Sequence, residues 1–130
     1  MRKIHLYRVD KYRHTLVEIE PCNYRSYMLF GILAGVRYTP EHGPIVEPRG
    51  IGADASYEVK EQWEEDKEWC HTPSWYTLQE LRIASRDKKR YNKEERQALK
   101  YFISCIDFMV DADFSFADDV DVRIDFWFDN

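Results

Sequence analysis

The stretch Val120-Asp121-Val122-Arg123-Ile124-Asp125-Phe126-Trp127-Phe128 decides the fold of this 130-residue chain. Aliphatic or phenyl side chains stand at every second position, and charged residues or tryptophan fill the positions between them. Alternation with a period of two predicts a β-strand with one fully apolar face. Slipping this strand by one residue would bury three charged side chains, so its pairing register should be well specified.

The N-terminal part of the chain predicts a β-hairpin. Residues 3–9 and 12–20 form its two strands and residues 10–11 form its turn. Pro21 ends the second strand because proline lacks the N–H group that a strand ladder needs.

Helical spacing and capping residues predict four helices between the hairpin and the last strand. The first spans residues 24–37 and contains Gly31 and Gly35, which close backbone packing would explain. A Pro- and Gly-rich loop follows over residues 38–52, and loops of that length are often functional. The second helix spans about 57–68, with Asp54 or Ser56 as its cap.

A break at residues 70–73 separates the second helix from the last two. Thr77 with Glu80 forms a capping-box pattern for a short helix through about Ser85. Asn92 with Glu95 starts the last helix, whose apolar positions are three and four residues apart: Ala98, Phe102, Ile106 and Met109.

The order of these elements predicts one α+β domain over residues 1–130. Its small antiparallel or mixed sheet consists of the N-terminal hairpin and the C-terminal strand, covered by about four helices. No apolar run approaches the roughly 18 residues of a membrane helix, and no apolar segment follows the charged N-terminus. We therefore expect a cytoplasmic protein without a membrane partner.

The uneven distribution of charge along the chain indicates which classes of partner the protein could bind. Residues 107–130 contain eight aspartates and one arginine, a net charge of −7, whereas the rest of the chain has 18 basic and 16 acidic side chains. Such an acidic segment argues against direct nucleic-acid binding, which needs a basic face. The alternative is a solubilising acidic face. Three cysteines without CxxC spacing indicate reduced thiols, and neither a metal nor a cofactor is predicted.

No sequence motif of a known catalytic class is present, so a binding function is favoured over an enzymatic one. Arg25, Arg37 and Arg49 flank the glycine-containing helix and the loop, where guanidinium groups suit anionic ligands. The alternative is that these arginines pair with Glu41, Glu47 or the C-terminal aspartates.

The segment His71-Thr72-Pro73-Ser74-Trp75 combines an imidazole, two hydroxyls and an indole. Trp75 could stack on a base that Ser74 or His71 hydrogen-bonds, and Tyr27 joins them as a candidate. Equally, Ser74 could cap a helix and Trp75 could anchor the core. A cysteine beside His71 is a poor metal pair on its own. Secondary candidates for the site are the strand residues and chain-end residues His5, Tyr7, Arg123, Asp129 and Asn130.

Several of these segments resemble a family of small phage and prophage proteins. The matching segments run in the family's order: 4–7, 25–37 (R-x-Y-x-L-F-x-x-L-A-x-V-R), 44–56 (P-I…PRG…D-x-S), 71–81 (H-[ST]-x-S-W-x-[TS]-L-x-E-L) and 122–130. The resemblance implies a phage origin and no particular chemistry. Arg2-Lys3 stands where the family usually has Cys-Asp, so a role of those two residues would be lost here.

Three hypotheses of function follow. The first is a phage-encoded accessory protein against host defence that sequesters a small anionic, nucleotide-like ligand. The second is an inhibitor resembling an anti-CRISPR protein, which binds a host defence protein through an acidic surface that imitates nucleic acid. The third is a hydrolase of a nucleotide signal with His71 as general acid–base. Whether the protein forms a homo-oligomer stays open.

Overall fold

The computed structural model describes residues 3–8, 17–19, 26–113 and 118–129. Within this part of the chain, four strands and four helices form an α+β fold. Their bounds are β1 Lys3–Arg8, β2 Val17–Ile19, α1 Tyr27–Ala34, α2 Tyr57–Asp66, β3 Cys70–Thr77, α3 Leu78–Ser85, α4 Lys93–Asp113 and β4 Val122–Asp129. The turn predicted at residues 10–11 and the strand end at Pro21 lie outside the described residues.

The four strands form one antiparallel sheet in the order β2-β1-β4-β3. The N-terminal pair and the C-terminal strand are therefore neighbours, as predicted, and β4 is a central strand. Its register places Ile124 opposite Leu6 on one side and opposite Tyr76 on the other. Since partnered residues share a face of the sheet, this register fixes which side chains lie together.

The first face of the sheet carries the main hydrophobic core. It comprises Val122, Ile124, Phe126 and Phe128 of β4, packed against apolar side chains of α1, α3 and α4. Tyr76 is fully buried there and donates a hydrogen bond of 2.5 Å to the Leu33 carbonyl oxygen. Burial raises the pKa of Tyr76 to about 12.

The second face is also buried, which the alternation of β4 did not predict. A smaller cluster of Ala55, Val59, Cys70 and Trp127 covers part of it, with Val59 contributed by α2. Arg123 is 7% exposed and Asp125 is 0% exposed. The charged side of β4 therefore faces other parts of the protein rather than solvent.

Local capping signals placed the helix starts correctly. Ser56 accepts a hydrogen bond from the Val59 N–H at the start of α2. Thr77 and Glu80 form the predicted capping box of α3. Asn92 and Glu95 exchange reciprocal hydrogen bonds of 2.9 and 2.8 Å before α4. Each signal depends on residues three apart, so it is largely independent of the rest of the fold.

The break between helices predicted at residues 70–73 is present, but the segment is a strand that the prediction missed, because β3 begins at Cys70. Pro73 is tolerated since β3 is the edge strand, and its carbonyl oxygen accepts the Gly50 N–H at 2.9 Å. The register shifts between His71 and Ser74, and Thr72 there adopts a φ of 55°. This irregularity interrupts the alternation that would have indicated a strand.

The close packing predicted around the first helix is confirmed at Gly31. A Cβ atom at this position would lie 2.5 Å from Tyr38 Cδ1 and closer still to the Tyr38 carbonyl oxygen. Glycine is favoured at position 35 for a different reason: it ends α1 in a left-handed conformation with a φ of 70°. The helix itself is shorter than predicted and begins at Tyr27 after the cap Ser26.

We expect Gly31→Ala to lower the free energy of unfolding. Helix propensity alone would make alanine more stable by about 1 kcal/mol, whereas the overlap with Tyr38 acts in the opposite direction. Urea unfolding of the two proteins measures the sign. An alanine variant more stable than the wild type would show that Tyr38 does not pack against this helix.

No helix in the described part of the chain is long and apolar enough to cross a membrane.

Candidate functional site

The register of the sheet places two adjacent rows of residues on its second face. Asp125 of β4 is partnered with His5 of β1 and with Trp75 of β3. Arg123 is partnered with Tyr7 of β1 and with Thr77 of β3. Antiparallel partners share a face, so the register assigns both rows to the same side of the sheet.

On this face, two guanidinium groups lie against the indole ring of Trp75 in the edge strand β3. The Cζ atoms of Arg49 and Arg123 are 4.1 and 3.9 Å from the ring centroid. Such cation–π contacts contribute about 0.5–2 kcal/mol each, depending on exposure. We call Arg49, Trp75 and Arg123 the Trp75 stack. It confirms neither expected alternative for Trp75, since the ring contacts arginines rather than an apolar core.

Arg49 is held by a carboxylate of α3. Its guanidinium donates two hydrogen bonds to Glu80, of 2.9 and 2.5 Å, and one of 3.2 Å to the Trp75 carbonyl oxygen. The hydrogen bond that Arg49 donates to Glu80 raises the pKa of Arg49, while burial and the charge of Arg123 act in the opposite direction. Two like charges therefore lie against the same indole ring.

Glu80 has a second role in the capping box of α3. It accepts the Thr77 N–H at 3.0 Å in addition to the bonds from Arg49. Burial alone would raise the pKa of Glu80, but the hydrogen bonds from Arg49 and the Thr77 backbone outweigh it and lower the pKa. The capping box therefore fixes the carboxylate that positions Arg49.

Arg123 is held by the carboxylate of Asp54, which is more exposed than that of Glu80. Its guanidinium donates hydrogen bonds of 3.2 and 2.9 Å to the two oxygens of Asp54. The Arg123 side chain is 9% exposed, whereas that of Asp54 is 61% exposed. The hydrogen bond from Arg123 lowers the pKa of Asp54. A nearly buried cation thus has a solvent-facing partner.

The loop before α2 closes over the stack through its backbone. Arg49 N–H donates to Ser74 Oγ at 3.0 Å, and Gly50 adopts a φ of 72°. A Cβ atom at Gly52 would lie 3.2 Å from Trp75 Nε1 and 3.0 Å from Asp54 Oδ1. Glycine at position 52 therefore lets the main chain approach the indole and the carboxylate closely.

The lowered pKa of Glu80 predicts how stability depends on pH. A carboxylate with a depressed folded-state pKa stabilises the fold above its unfolded pKa of about 4.3, and this contribution is lost as pH falls through the lower folded value. We therefore expect Glu80→Gln to be less stable than wild type at pH 7 and closer to it at pH 3.

Urea unfolding at the two pH values measures this difference. Glu61→Gln on the exposed side of α2 makes the same change of charge and serves as control. An equal or larger gap at pH 3 than at pH 7 would contradict the role assigned to Glu80.

The structure brings some sequence-predicted residues together and separates others. Arg49, Trp75 and Arg123 meet at the second face, whereas Ser74 is partnered with Phe126 of the first face and accepts the Arg49 N–H at the sheet edge. Tyr27 and Arg37 contact each other instead, with Arg37 Nη1 3.4 Å from Tyr27 Oη. Tyr27 belongs to α1 on the first face, in a groove of about 600 Å³ beside α4.

The remaining candidates are positioned as follows. His71 lies before the irregularity of β3, with its Nδ1 2.8 Å from Thr72 Oγ1 and its ring 6.0 Å from Phe128. Ser74 is buried inside β3 and caps no helix, since Thr77 caps α3. Asp129 is the last residue of β4, opposite Cys70. Arg25 and Asn130, also predicted for the site, lie outside the described residues.

Arginine pairing with carboxylates was the expected alternative, and Arg49 does pair with one. Its partner is Glu80 rather than Glu41, Glu47 or a C-terminal aspartate. Sequence reasoning missed Asp54, Glu80, Gly52 and Asp125 as members of the site. The capping pattern of Glu80 was visible, but nothing in it showed the second bond to an arginine 31 residues away.

Aspartates of the acidic C-terminal segment are partly engaged within the protein. Arg82 bonds both Asp107 and, at 2.6 Å, Asp119. Asp125 is fully buried, while Asp118 and Asp129 are exposed. In the described part of the chain, no group of three or more His, Cys, Asp or Glu side chains is placed to hold a metal ion.

Comparisons of the chain with models of protein families, with curated protein sequences and with solved structures find no match. Function is therefore inferred from the geometry of the site.

Proposed function

We propose that this protein binds and sequesters a small anionic ligand with an aromatic ring, of nucleotide type, at the Trp75 stack. The observation that carries the proposal is the pair of guanidinium groups held within about 4 Å of one half-buried indole. Guanidinium planes are stacking surfaces for nucleobases, and their edges are donors for phosphate or carboxylate oxygens.

The two arginines differ in what they offer a ligand. The Arg49 side chain is 24% exposed and is the more accessible of the two, so its plane suits a ring. Arg123 is nearly buried, so hydrogen bonds that it donates to an anion are partly shielded from water. A charge-assisted hydrogen bond contributes about 1.5–3 kcal/mol under such conditions. Binding of micromolar strength needs about 8 kcal/mol, which several such contacts supply together.

The engagement of Asp107, Asp119 and Asp125 within the fold favours this function over the acidic nucleic-acid mimic. The hydrolase hypothesis needs a carboxylate or the ligand beside His71, and in the described part of the chain the contacts of His71 are with Thr72 and Phe128, which gives that hypothesis less support. The resemblance to phage proteins suggests that the ligand is a nucleotide signal of host defence, captured in the cytoplasm.

A thermal-shift screen tests the proposal against nucleotides, cyclic nucleotides and ADP-ribose-type compounds. A ligand at about 100 times its dissociation constant adds about 2.7 kcal/mol to stability, which raises the melting temperature measurably. We expect Trp75→Leu to abolish the shift and Trp69→Leu to keep it, because Trp69 is 72% exposed and outside the stack. A panel in which no compound shifts the wild type would refute the proposal.

A further inference from the structure

Positive charge is concentrated where α3 leads into α4. Residues 86–100 contain seven basic and three acidic side chains, a net charge of +4, whereas the rest of the chain has 12 basic and 21 acidic side chains, a net charge of −9. Five of the seven cations are exposed: Arg86, Lys88, Lys89, Lys93 and Lys100. We call these five side chains the basic end.

The three carboxylates of this segment do not pair with the basic end. Asp87 accepts two backbone N–H groups of the connector between the helices, both at 3.1 Å. Glu95 is buried and accepts the Tyr38 hydroxyl at 3.0 Å, while Glu94 lines the groove beside α1. Within the described part of the chain, none of the five cations forms an ion pair.

A groove between α3 and α4 gives the basic end a place for an oxyanion. Its volume is about 380 Å³, and Arg86 and Lys100 both line it. Arg86 Nε donates to the Arg82 carbonyl oxygen at 3.2 Å, which holds the guanidinium over the last turn of α3. The acidic side chain of the same groove, Asp107, is already bonded by Arg82. Arg86 and Lys100 therefore remain to attract an anion.

A concentration of exposed carboxylates lies on the other side of the sheet. Helix α2 carries Glu58, Glu61, Glu64 and Glu65, and its Val59 belongs to the cluster on the second face. Helices α3 and α4 pack on the first face. A polyanion is therefore attracted to one side of the protein and repelled by the other. The sequence-based expectation against nucleic acid considered charge along the chain, whereas the fold separates the two signs in space.

The chemistry of the basic end fits a phosphate backbone better than a protein surface. Four of its five side chains are lysines, which are depleted in protein–protein interfaces, whereas aromatic residues are enriched there. Tyr91 is buried and Tyr101 lies in the groove beside α1, so neither adds an aromatic contact at this end. Lysine binds phosphate as a point charge, without reading a base.

We propose that the basic end is a second binding surface, which docks the phosphate backbone of nucleic acid without reading its sequence. One phosphate lies between Arg86 and Lys100 in the groove, and the three other lysines contact neighbouring phosphates. The proposal does not depend on a ligand at the Trp75 stack, because the stack belongs to the second face of the sheet.

Fluorescence anisotropy with a labelled 20-base-pair DNA duplex of random sequence, in 50 to 200 mM NaCl, tests this surface. The logarithm of affinity should fall with the logarithm of salt concentration with a slope of about −3 to −4, since each neutralised phosphate contributes about −0.9. Lys93→Gln/Lys100→Gln should weaken binding about tenfold or more at 50 mM NaCl and flatten the slope by about 2. Lys88→Gln/Lys89→Gln, in the connector, tests the same surface without changing a helix.

The matched control is Lys60→Gln/Lys67→Gln, which removes two exposed charges at α2 and should leave affinity and slope within about twofold of wild type. Melting curves show that each variant is folded. Equal weakening by control and basic-end variants, a slope flatter than about −1, or no binding of the duplex at 50 mM NaCl overturns the proposal. Binding to phosphatidylserine vesicles or to polyglutamate without binding to the duplex overturns the choice of nucleic acid as the partner.

Discussion

Trp127→Ala is expected to lower the free energy of unfolding by about 3–5 kcal/mol, as large-to-small changes at fully buried aromatics do. Trp127 is 0% exposed, packs 5.3 Å from the Trp63 ring and anchors the cluster that covers the second face. Domains of this size have total stabilities of roughly 5–15 kcal/mol, so the loss would be a large share of the whole. Urea unfolding monitored by circular dichroism measures it.

Two further variants separate packing from hydrogen bonding. Trp127→Phe keeps most of the ring but leaves the buried Asp66 without the 3.0 Å bond from Trp127 Nε1, which should cost about 1–3 kcal/mol. Trp69→Ala changes an exposed indole and should stay within about 0.5 kcal/mol of wild type. A Trp127→Ala protein as stable as Trp69→Ala would mean that the second face is not covered as described.

Arg123→Met is expected to weaken binding of an anionic ligand by about ten- to a hundredfold, because a charged hydrogen bond contributes about 1.5–3 kcal/mol. Methionine keeps an unbranched apolar chain against Trp75 but removes the fork of donors. Arg123→Lys keeps the charge without the fork and should fall between the two. Calorimetric titration of the ligand found in the thermal screen measures these affinities.

The matched control for this series is Arg86→Met, because Arg86 is exposed at the end of α3 and outside the stack. Its affinity should equal that of wild type. Melting curves of all variants show whether any loss of binding is a loss of folding. Unchanged affinity in a folded Arg123→Met protein would remove Arg123 from the site.

The sequence was most informative where structure depends on neighbouring residues. The alternation around Ile124 fixed which side chains of β4 enter the main core, because a strand has a period of two. The capping pairs Thr77–Glu80 and Asn92–Glu95 fixed helix starts for the same local reason. The strand β3 was not predicted, because Pro73 and the shifted register interrupt its alternation. Proline fits there because β3 is an edge strand whose outer side contacts the loop at Gly50.

The candidate site was predictable in residue type more than in arrangement. Arg49 and Trp75 were expected to bind a ligand, and they do meet. Their carboxylate partners could not be predicted from the sequence. Asp54 and Arg123, for example, are 69 residues apart and come together because the loop packs on the sheet. The same packing separates Tyr27 and Arg37 from them, since α1 covers the opposite face.

The most direct test of ligand binding at the Trp75 stack is a two-dimensional ¹⁵N–¹H spectrum of the four tryptophan indoles during titration with the nucleotide panel. The Trp75 resonance should move most with a nucleotide that binds, while the exposed Trp69 resonance stays in place. A shift of Trp69 with Trp75 unmoved, or no shift of any indole throughout the panel, would contradict binding at this stack.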